Sequence, residues 1–114
     1  MLKAMQSAIA EAIEVEDAAK QLLDDAAERC VRDLLDWARA AAPRKGVQIA
    51  SARLRRWQSI EEPEWLRLVV DLTLAADPPA ALRFWDRASE KLADLVEAHP
   101  SAAGELLTVR AHWR

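Results

Sequence analysis

The chain has 114 residues and a net charge of −3, with 24 Ala, 15 Leu, 12 Arg, 5 Trp and 2 Gly. This length suits one domain built around a single hydrophobic core. The alanine content favours helices and argues against a mainly β architecture. The two isolated glycines exclude a P-loop and a dinucleotide-binding turn, because both need clustered glycines to approach phosphate closely.

The sequence carries none of the usual marks of a secreted or membrane protein. Its single cysteine, Cys30, cannot form an internal disulfide. The chain has no basic region followed by an unbroken apolar one, and no apolar run reaches about 18 residues. We therefore expect a cytoplasmic protein without membrane contact. The excess of Arg over Lys (12 against 4) suggests a GC-rich bacterial genome.

Charge is distributed unevenly along the chain. Residues 1–36 contain nine acids and four bases, residues 37–60 contain six bases and no acid, and residues 61–114 contain ten acids and six bases. The central basic stretch could bind an anionic partner, or it could pair with the acidic segments of the same chain or of a second copy. We expect the internal pairing.

The first predicted element is a long helical segment over residues 1–42, where nothing breaks a helix before Pro43. The apolar stripe of its second half consists of Leu23, Ala27, Cys30, Leu34, Trp37 and Ala41. A weaker stripe in its first half consists of Leu2, Met5, Ile9 and Ile13. A continuous helix of this length would span about 60 Å. Either the helix therefore breaks near residues 14–17, where three acids interrupt the stripe, or its front end projects and packs on another chain.

Two strands follow, and they are predicted to form a hairpin. Residues 47–58 and 65–74 both alternate between two faces. The inward-facing residues predicted for the first strand are Ala50, Ala52 and Leu54. Matched charges and a cation–π contact favour a register that opposes Arg53 to Asp71 and Trp57 to Arg67.

A second helix and a third strand complete the predicted elements. The helix begins after Asp77, an N-cap residue followed by two prolines, and ends at His99 before Pro100. Its predicted core stripe consists of Leu82, Trp85, Ser89, Leu92 and Val96. From Glu105 the chain alternates again as a strand, so the second hairpin strand, the helix and this strand form a β-α-β unit.

These elements predict an α+β fold with a single domain over residues 1–114. A long N-terminal helical segment (1–42), which serves as an arm for oligomerisation, precedes a β-β-α-β core (47–114). The predicted sheet is small, has three strands and packs against helices. The open edges of such a sheet invite a strand from another chain.

The sequence contains no arrangement typical of a catalytic, metal or cofactor site. Neither His99 nor His112 belongs to a nucleophile triad or a metal-ligand spacing. Cys30 lies on an apolar stripe, where a buried structural role is favoured. An enzyme would need a pocket that combines His112 with a carboxylate such as that of Asp71. We therefore expect a non-enzymatic protein without a cofactor.

The leading hypothesis is a protein-interaction module, either a homo-oligomer or the accessory subunit of a larger complex, as antitoxin-like and chaperone-like proteins are. Trp57 and Trp65 flank the hairpin connection, and exposed tryptophans are typical of interfaces. Alternatively, the two indoles pack on each other and stiffen the hairpin. The predicted partner-binding residues are Leu2, Met5, Ile9, Ile13, Trp57 and Trp65.

The alternative hypothesis is a nucleic-acid-binding module that uses the basic polar face of the sheet. Basic groups beside exposed aromatic rings are typical of platforms for single-stranded nucleic acid. The residues predicted for this role are Arg53, Arg55, Trp57, Arg67 and Arg110. The negative net charge argues against this hypothesis, and the acidic N-terminal helix could instead cover the same face.

Overall fold

The computed structural model describes residues 13–113 and has an α+β fold. Its strands are β1 (Glu14–Val15), β2 (Gln48–Gln58), β3 (Leu66–Ala75) and β4 (Leu107–Trp113). Its helices are α1 (Asp17–Lys20), α2 (Asp25–Ala41) and α3 (Pro78–Ala98). Two 3-10 turns, Pro43–Lys45 and Gly104–Leu106, precede β2 and β4. None of these helices is both long enough and apolar enough to cross a membrane.

The strands form one mixed sheet in the order β1-β2-β3-β4. β2 and β3 make the predicted antiparallel hairpin, and β4 runs parallel to β3 after α3, which confirms the predicted β-α-β arrangement. The prediction of three strands is wrong, because β1 adds a fourth, parallel to β2. In this added strand Glu14 lies opposite Arg53 and Val15 lies opposite Leu54, so a charge pair and an apolar pair hold it at the edge.

The predicted long N-terminal helical segment over residues 1–42 is also wrong, since its described part is broken twice. The first break is β1, and of the two alternatives stated for this segment it confirms the break near residues 14–17. The second break follows α1, where the Asp24 carboxylate accepts a hydrogen bond from the Ala27 N–H (2.8 Å) and caps the start of α2. This cap satisfies an N–H group that has no partner at the start of a new helix.

The hairpin of β2 and β3 has the register that was predicted from charge and aromatic matching. Arg53 lies directly opposite Asp71, and Trp57 lies opposite Arg67. Side chains of directly opposed residues point to the same face of a sheet. This register therefore decides which charged and aromatic residues lie together.

A β-bulge changes the alternation at the start of β2. The irregularity lies between Ile49 and Ser51, where one residue of β2 has no opposite partner in β3. Ala50 is consequently exposed, which corrects its predicted inward position, and Ile49 packs against the core in its place. After the bulge the predicted alternation holds, with Leu54 fully buried.

α3 begins after the predicted N-cap Asp77, but its buried face is rotated relative to the predicted stripe. The buried residues of this helix are Ala80, Ala81, Phe84, Ala88 and Leu92. Phe84 stacks on Trp37 with ring centroids 5.6 Å apart. The alanines beside Phe84 let the helix approach its neighbours closely, whereas Leu82 of the predicted stripe is 46% exposed.

α2 and α3 pack on one face of the sheet, the inner face, and share one hydrophobic core with it. The largest fully buried side chains of this core include Leu34, Leu35, Leu54, Leu68, Leu72 and Phe84. The opposite face, the outer face, is directed away from α2 and α3. Its central residues are Arg53, Arg55 and Trp57 of β2, Arg67, Val69, Asp71 and Thr73 of β3, and Thr108, Arg110 and His112 of β4.

Candidate functional site

The outer face brings together all the residues predicted for nucleic-acid binding. They are Arg53, Arg55, Trp57, Arg67 and Arg110. The two strand registers place Arg53, Asp71 and Arg110 in one row across the sheet. The face therefore carries four arginines against three acids, Asp71 at its centre and Glu14 and Glu16 at its edge.

Asp71 organises the ion pairs of the outer face. One carboxylate oxygen accepts a hydrogen bond from Nε of Arg55, and the other lies 3.2 Å from Nε2 of His112. Arg53, which is directly opposite Asp71, instead forms an ion pair with Glu16 at 3.5 Å. Asp71 therefore pairs with Arg55, its diagonal neighbour on β2, and not with the directly opposite Arg53, because long side chains reach the neighbouring row of the sheet.

Acids of the same chain neutralise part of the basic stretch, as expected. Glu16 pairs with Arg53 and also accepts a hydrogen bond from the backbone N–H of Arg56 (3.2 Å). The acidic helix that could have covered the outer face is α2, and it packs on the inner face instead. Arg67 and Arg110 form no ion pair with any residue of the range 13–113.

The contact between His112 and Asp71 is the pairing that the enzyme hypothesis requires. It lies on the outer face, and four surface cavities of about 350 to 490 Å³ are lined by other residues. Within the described chain, no Ser or Cys side chain hydrogen-bonds to His112. No group of three or more His, Cys, Asp or Glu residues between positions 13 and 113 is placed to hold a metal ion. Thr73 lies directly opposite His112 in the sheet, and in the described part of the chain the one side-chain partner of the imidazole is the Asp71 carboxylate.

The end of the hairpin, which we call the hairpin tip (residues 57–65), carries three exposed large apolar side chains. Trp57 is 39% exposed, Ile60 98% and Trp65 56%. The aromatic ring pairs found among residues 13–113 join other rings, so the alternative in which the two tip indoles pack on each other has no support here. Their exposure is the arrangement on which the leading hypothesis depends.

Hydrogen bonds hold the backbone of the hairpin tip. The Ser59 N–H donates to the carbonyl oxygen of Trp65 (3.0 Å), and the Trp65 N–H donates to that of Glu62 (2.9 Å). A loop ordered in this way presents its side chains with a smaller entropic cost of binding. Sequence reasoning missed Ile60, although a lone isoleucine within an otherwise polar connection is a signal that could have found it.

The four N-terminal residues predicted to bind a partner fall into two groups. Leu2, Met5 and Ile9 lie outside the described residues. Ile13 is only 3% exposed and packs in the hydrophobic core, next to the start of β1. Its side chain therefore contributes to the fold of the monomer and is not presented at the surface.

The other three tryptophans pack within the protein, as predicted. Trp37 stacks on Phe84, and the ring of Trp85 lies 6.4 Å from that of Trp113. The indole N–H of Trp85 donates a hydrogen bond to the carbonyl oxygen of Val109 (2.8 Å). This bond joins α3 directly to the backbone of β4.

Two buried ionisable groups lie on α2. The Cys30 thiol donates a hydrogen bond to the carbonyl oxygen of Leu95 (3.4 Å), and burial raises its pKa, which suits a structural cysteine. Glu28 is 8% exposed, and burial, with a smaller contribution from Asp25, raises the pKa of its carboxyl group. Oε2 of Glu28 has no hydrogen-bond partner among residues 13–113.

A groove of about 420 Å³, which we call the edge groove, lies between α3 and β4. Its apolar lining residues are Leu92, Ala93 and Val96 of α3 and Leu107 and Val109 of β4. Glu97 and Glu105 are the ionisable residues that line it. The sequence gives no sign of this groove, because its lining residues belong to separate segments that only the packing of α3 on β4 brings together.

No protein-family model, characterised protein or solved structure matches this chain. The function is therefore inferred from three surfaces: the outer face, the hairpin tip and the edge groove. The first is basic, the second is apolar with charged neighbours, and the third is apolar with an acidic rim.

Proposed function

We propose that the protein is a non-enzymatic, cytoplasmic protein-interaction module that acts as a homo-oligomer or as the accessory subunit of a larger complex, in an antitoxin-like or chaperone-like role. The observation that carries this proposal is the hairpin tip, where Trp57, Ile60 and Trp65 are exposed together. Apart from these three, the large hydrophobic side chains exposed between residues 13 and 113 comprise only Leu82. A concentration of exposed apolar groups at one place favours contact with another protein.

The composition of the hairpin tip also suits a protein interface. Trp and Arg are enriched among residues that contribute most to binding, and Trp57 lies opposite Arg67. The rest of the tip includes three exposed acids, Glu61, Glu62 and Glu64. An apolar centre bordered by charged residues is the usual composition of an interface that must also remain stable in water.

The homo-oligomeric form of the proposal is tested by sedimentation over protein concentrations from about 1 to 100 µM. We expect concentration-dependent association of the full chain. The double substitution Trp57→Ser and Trp65→Ser should raise the dissociation constant at least about tenfold, because it removes both aromatic contacts. Leu82→Ser is the matched control, since it removes an exposed apolar side chain from α3, and it should leave the association unchanged.

The accessory-subunit form is tested by placing a photo-crosslinking amino acid at position 60 or, as a control, at position 82. Ile60 is almost fully exposed, so its replacement leaves the core intact. We expect one protein to crosslink at position 60 and not at position 82, and the Trp57→Ser, Trp65→Ser variant to lose it. A chain that stays monomeric and gives the same crosslinks at both positions would contradict the proposal.

A second candidate function is nucleic-acid binding, which the common outer-face position of Arg53, Arg55, Trp57, Arg67 and Arg110 supports. Arg53 and Arg55 already pair with Glu16 and Asp71, so Arg67 and Arg110 are the better probes. Fluorescence anisotropy with a labelled oligothymidylate should show binding that weakens as salt is raised, since each neutralised phosphate releases counterions.

The double substitution Arg67→Ala and Arg110→Ala is expected to weaken this binding at least about tenfold and to reduce its salt dependence. The matched control is Arg29→Ala with Arg83→Ala, which removes two exposed arginines from α2 and α3. Equal losses in the two double variants would indicate attraction by overall charge and would count against a site on the outer face.

A further inference from the structure

One of the surface cavities, which we call the basic cavity, is lined mainly by cationic side chains. It has a volume of about 490 Å³ and lies between the 3-10 turn Pro43–Lys45 and the first half of α3. Its lining residues are Arg44, Lys45, Ala80, Arg83, Phe84, Asp86 and Arg87. The lining thus contains four cations and one acid, in a chain whose acids outnumber its bases by three.

Arg44 and Lys45 lie on a 3-10 turn whose backbone is held in place by hydrogen bonds. The N–H groups of Lys45 (3.0 Å) and Val47 (2.9 Å) both donate to the carbonyl oxygen of Ala42. The turn ends at Gly46, whose φ of 69° lies in the left-handed region that glycine adopts most readily. An ordered backbone therefore carries these two cations, which lowers the entropic cost of binding a ligand between them and α3.

α3 supplies the other two cations and an apolar part of the lining. Arg83 and Arg87 are four residues apart, a spacing that places two side chains on the same side of a helix. Ala80 and Phe84 have the same spacing, are buried and line the cavity beside the two arginines. A cleft that combines one sign of charge with apolar walls concentrates the electric field and attracts ions of the opposite charge.

Three of the four cations have no charged partner in the described part of the chain. There, Arg44, Lys45 and Arg83 form neither an ion pair nor a side-chain hydrogen bond. Arg87 pairs with Glu90 (3.7 Å), but the two side chains are 63% and 69% exposed, and a surface pair of this kind is weak. The cations of the basic cavity are therefore available to an anionic ligand.

The chemistry of the lining indicates a ligand that carries more than one phosphate group. Guanidinium groups bind phosphate oxygens through two parallel hydrogen bonds, and a lysine adds a point charge. A single phosphate would leave most of the repulsion among four cations in place, whereas a di- or triphosphate neutralises them together. The cavity volume lies within the range of about 300 to 1,000 Å³ that small-molecule sites have.

A second cavity, of about 420 Å³, adjoins the basic cavity and differs from it in charge. Three cations of the basic cavity also line this second one, and the rest of its lining includes Trp37, Lys91, Glu90 and Asp94. The two acids disfavour further phosphate groups there. An aromatic ring attached to the phosphates would instead meet the half-buried indole of Trp37.

We propose that the basic cavity binds the di- or triphosphate group of a small molecule, either an inorganic polyphosphate or a nucleotide. The three arginines bind the phosphate oxygens, and Lys45 adds a further positive charge. The basic cavity shares no residue with the hairpin tip or with the outer face, so the inference does not depend on either function proposed above.

The test is isothermal titration calorimetry of the full chain with inorganic triphosphate in about 0.15 M salt, which largely screens charges more than roughly 8 Å apart. We expect a single site that binds triphosphate at least about tenfold more tightly than orthophosphate or citrate. Orthophosphate tests the need for several phosphate groups, and citrate tests phosphate against carboxylate. Equal affinities for triphosphate and ATP would assign the site to the phosphates alone, and tighter binding of ATP would assign it to a nucleotide.

Two double variants locate the site, and both change only exposed side chains. Arg44→Gln with Lys45→Gln removes the cations of the turn, and Arg83→Gln with Arg87→Gln removes those of α3. Each pair should weaken triphosphate binding at least about tenfold, because the ligand contacts both elements. In an NMR titration of the parent protein, triphosphate should shift the backbone amide signals of residues 44–46.

The matched control is Arg67→Gln with Arg110→Gln, which removes two exposed arginines from the outer face. This variant has the same net charge as the other two and should keep the affinity for triphosphate within about twofold. Equal losses in all three variants would show attraction by overall charge and would overturn the inference. The inference would also fail if triphosphate did not bind, or if orthophosphate or citrate bound equally well.

Discussion

The carboxyl group of Glu28 shows how a single residue links the packing of α2 to the pH dependence of stability. Burial raises the pKa of this carboxyl in the folded protein, and Oε2 has no hydrogen-bond partner among residues 13–113. A carboxyl whose pKa is higher in the folded than in the unfolded state stabilises the fold while it is protonated. That contribution is complete below the unfolded pKa and is lost as the pH rises through the folded pKa.

We therefore predict that Glu28→Gln raises the free energy of unfolding at pH 7 by about 1 kcal/mol, because the amide has no charge to desolvate. The gain should shrink as the pH falls towards 4, where the native carboxyl is itself protonated. Urea denaturation at several pH values measures both effects. Glu97→Gln, on an exposed part of α3, is the control and should change stability by less than about 0.5 kcal/mol at every pH. A gain that does not vary with pH would contradict this account of Glu28.

At the scale of elements, the sequence predicts best where a residue's neighbours along the chain decide its environment. The residues of β3 alternate between two faces, which indicates a strand, and the charges of Arg53 and Asp71 select its register against β2. The same register places the basic residues on one face, so most of the outer face was predictable. The helix start after Asp77 was predicted in the same way, from the two prolines that follow this residue, although Asp77 makes no side-chain cap. The helix start after Asp24, which does make a side-chain cap, was not predicted.

The elements that were missed depend on contacts between distant segments. β1 has only two residues and exists because β2 supplies its pairing partners. The bulge at Ala50 follows from how β2 must align with β3, which composition does not reveal. Phe84 rather than Leu82 faces the core because its ring stacks on Trp37 of α2. The edge groove escaped prediction for the same reason, since it exists only between α3 and β4.

At the scale of the whole molecule, one carboxylate ties the start of α2 to the connection before β4. Oδ1 of Asp24 accepts hydrogen bonds from the Ala27 N–H (2.8 Å) and from the Ser101 hydroxyl (3.0 Å). The Ser101 oxygen in turn accepts from the Gly104 N–H (2.9 Å), which holds the 3-10 turn that leads into β4. Residues 77 positions apart are thus joined through two side chains.

We predict that Asp24→Ala lowers the free energy of unfolding by about 2 kcal/mol, because it removes both the helix cap and the link to the turn before β4. Asp77 provides a matched control, since it is the N-cap residue of α3 but makes no side-chain capping bond, and Asp77→Ala should cost less than about 0.5 kcal/mol.

Ser101→Ala should lower the free energy of unfolding by about 1 kcal/mol. In the double variant of Asp24→Ala and Ser101→Ala, the loss of unfolding free energy should be smaller than the sum of the two single losses by about 0.5 kcal/mol or more. The reason is that both substitutions break the same hydrogen bond. Urea denaturation of the four variants measures these terms. Additive losses at positions 24 and 101 would mean that Asp24 acts only as a local cap, whereas overlap shows that the hydrogen bond between Ser101 and Asp24 itself stabilises the fold and couples the start of α2 to the turn before β4.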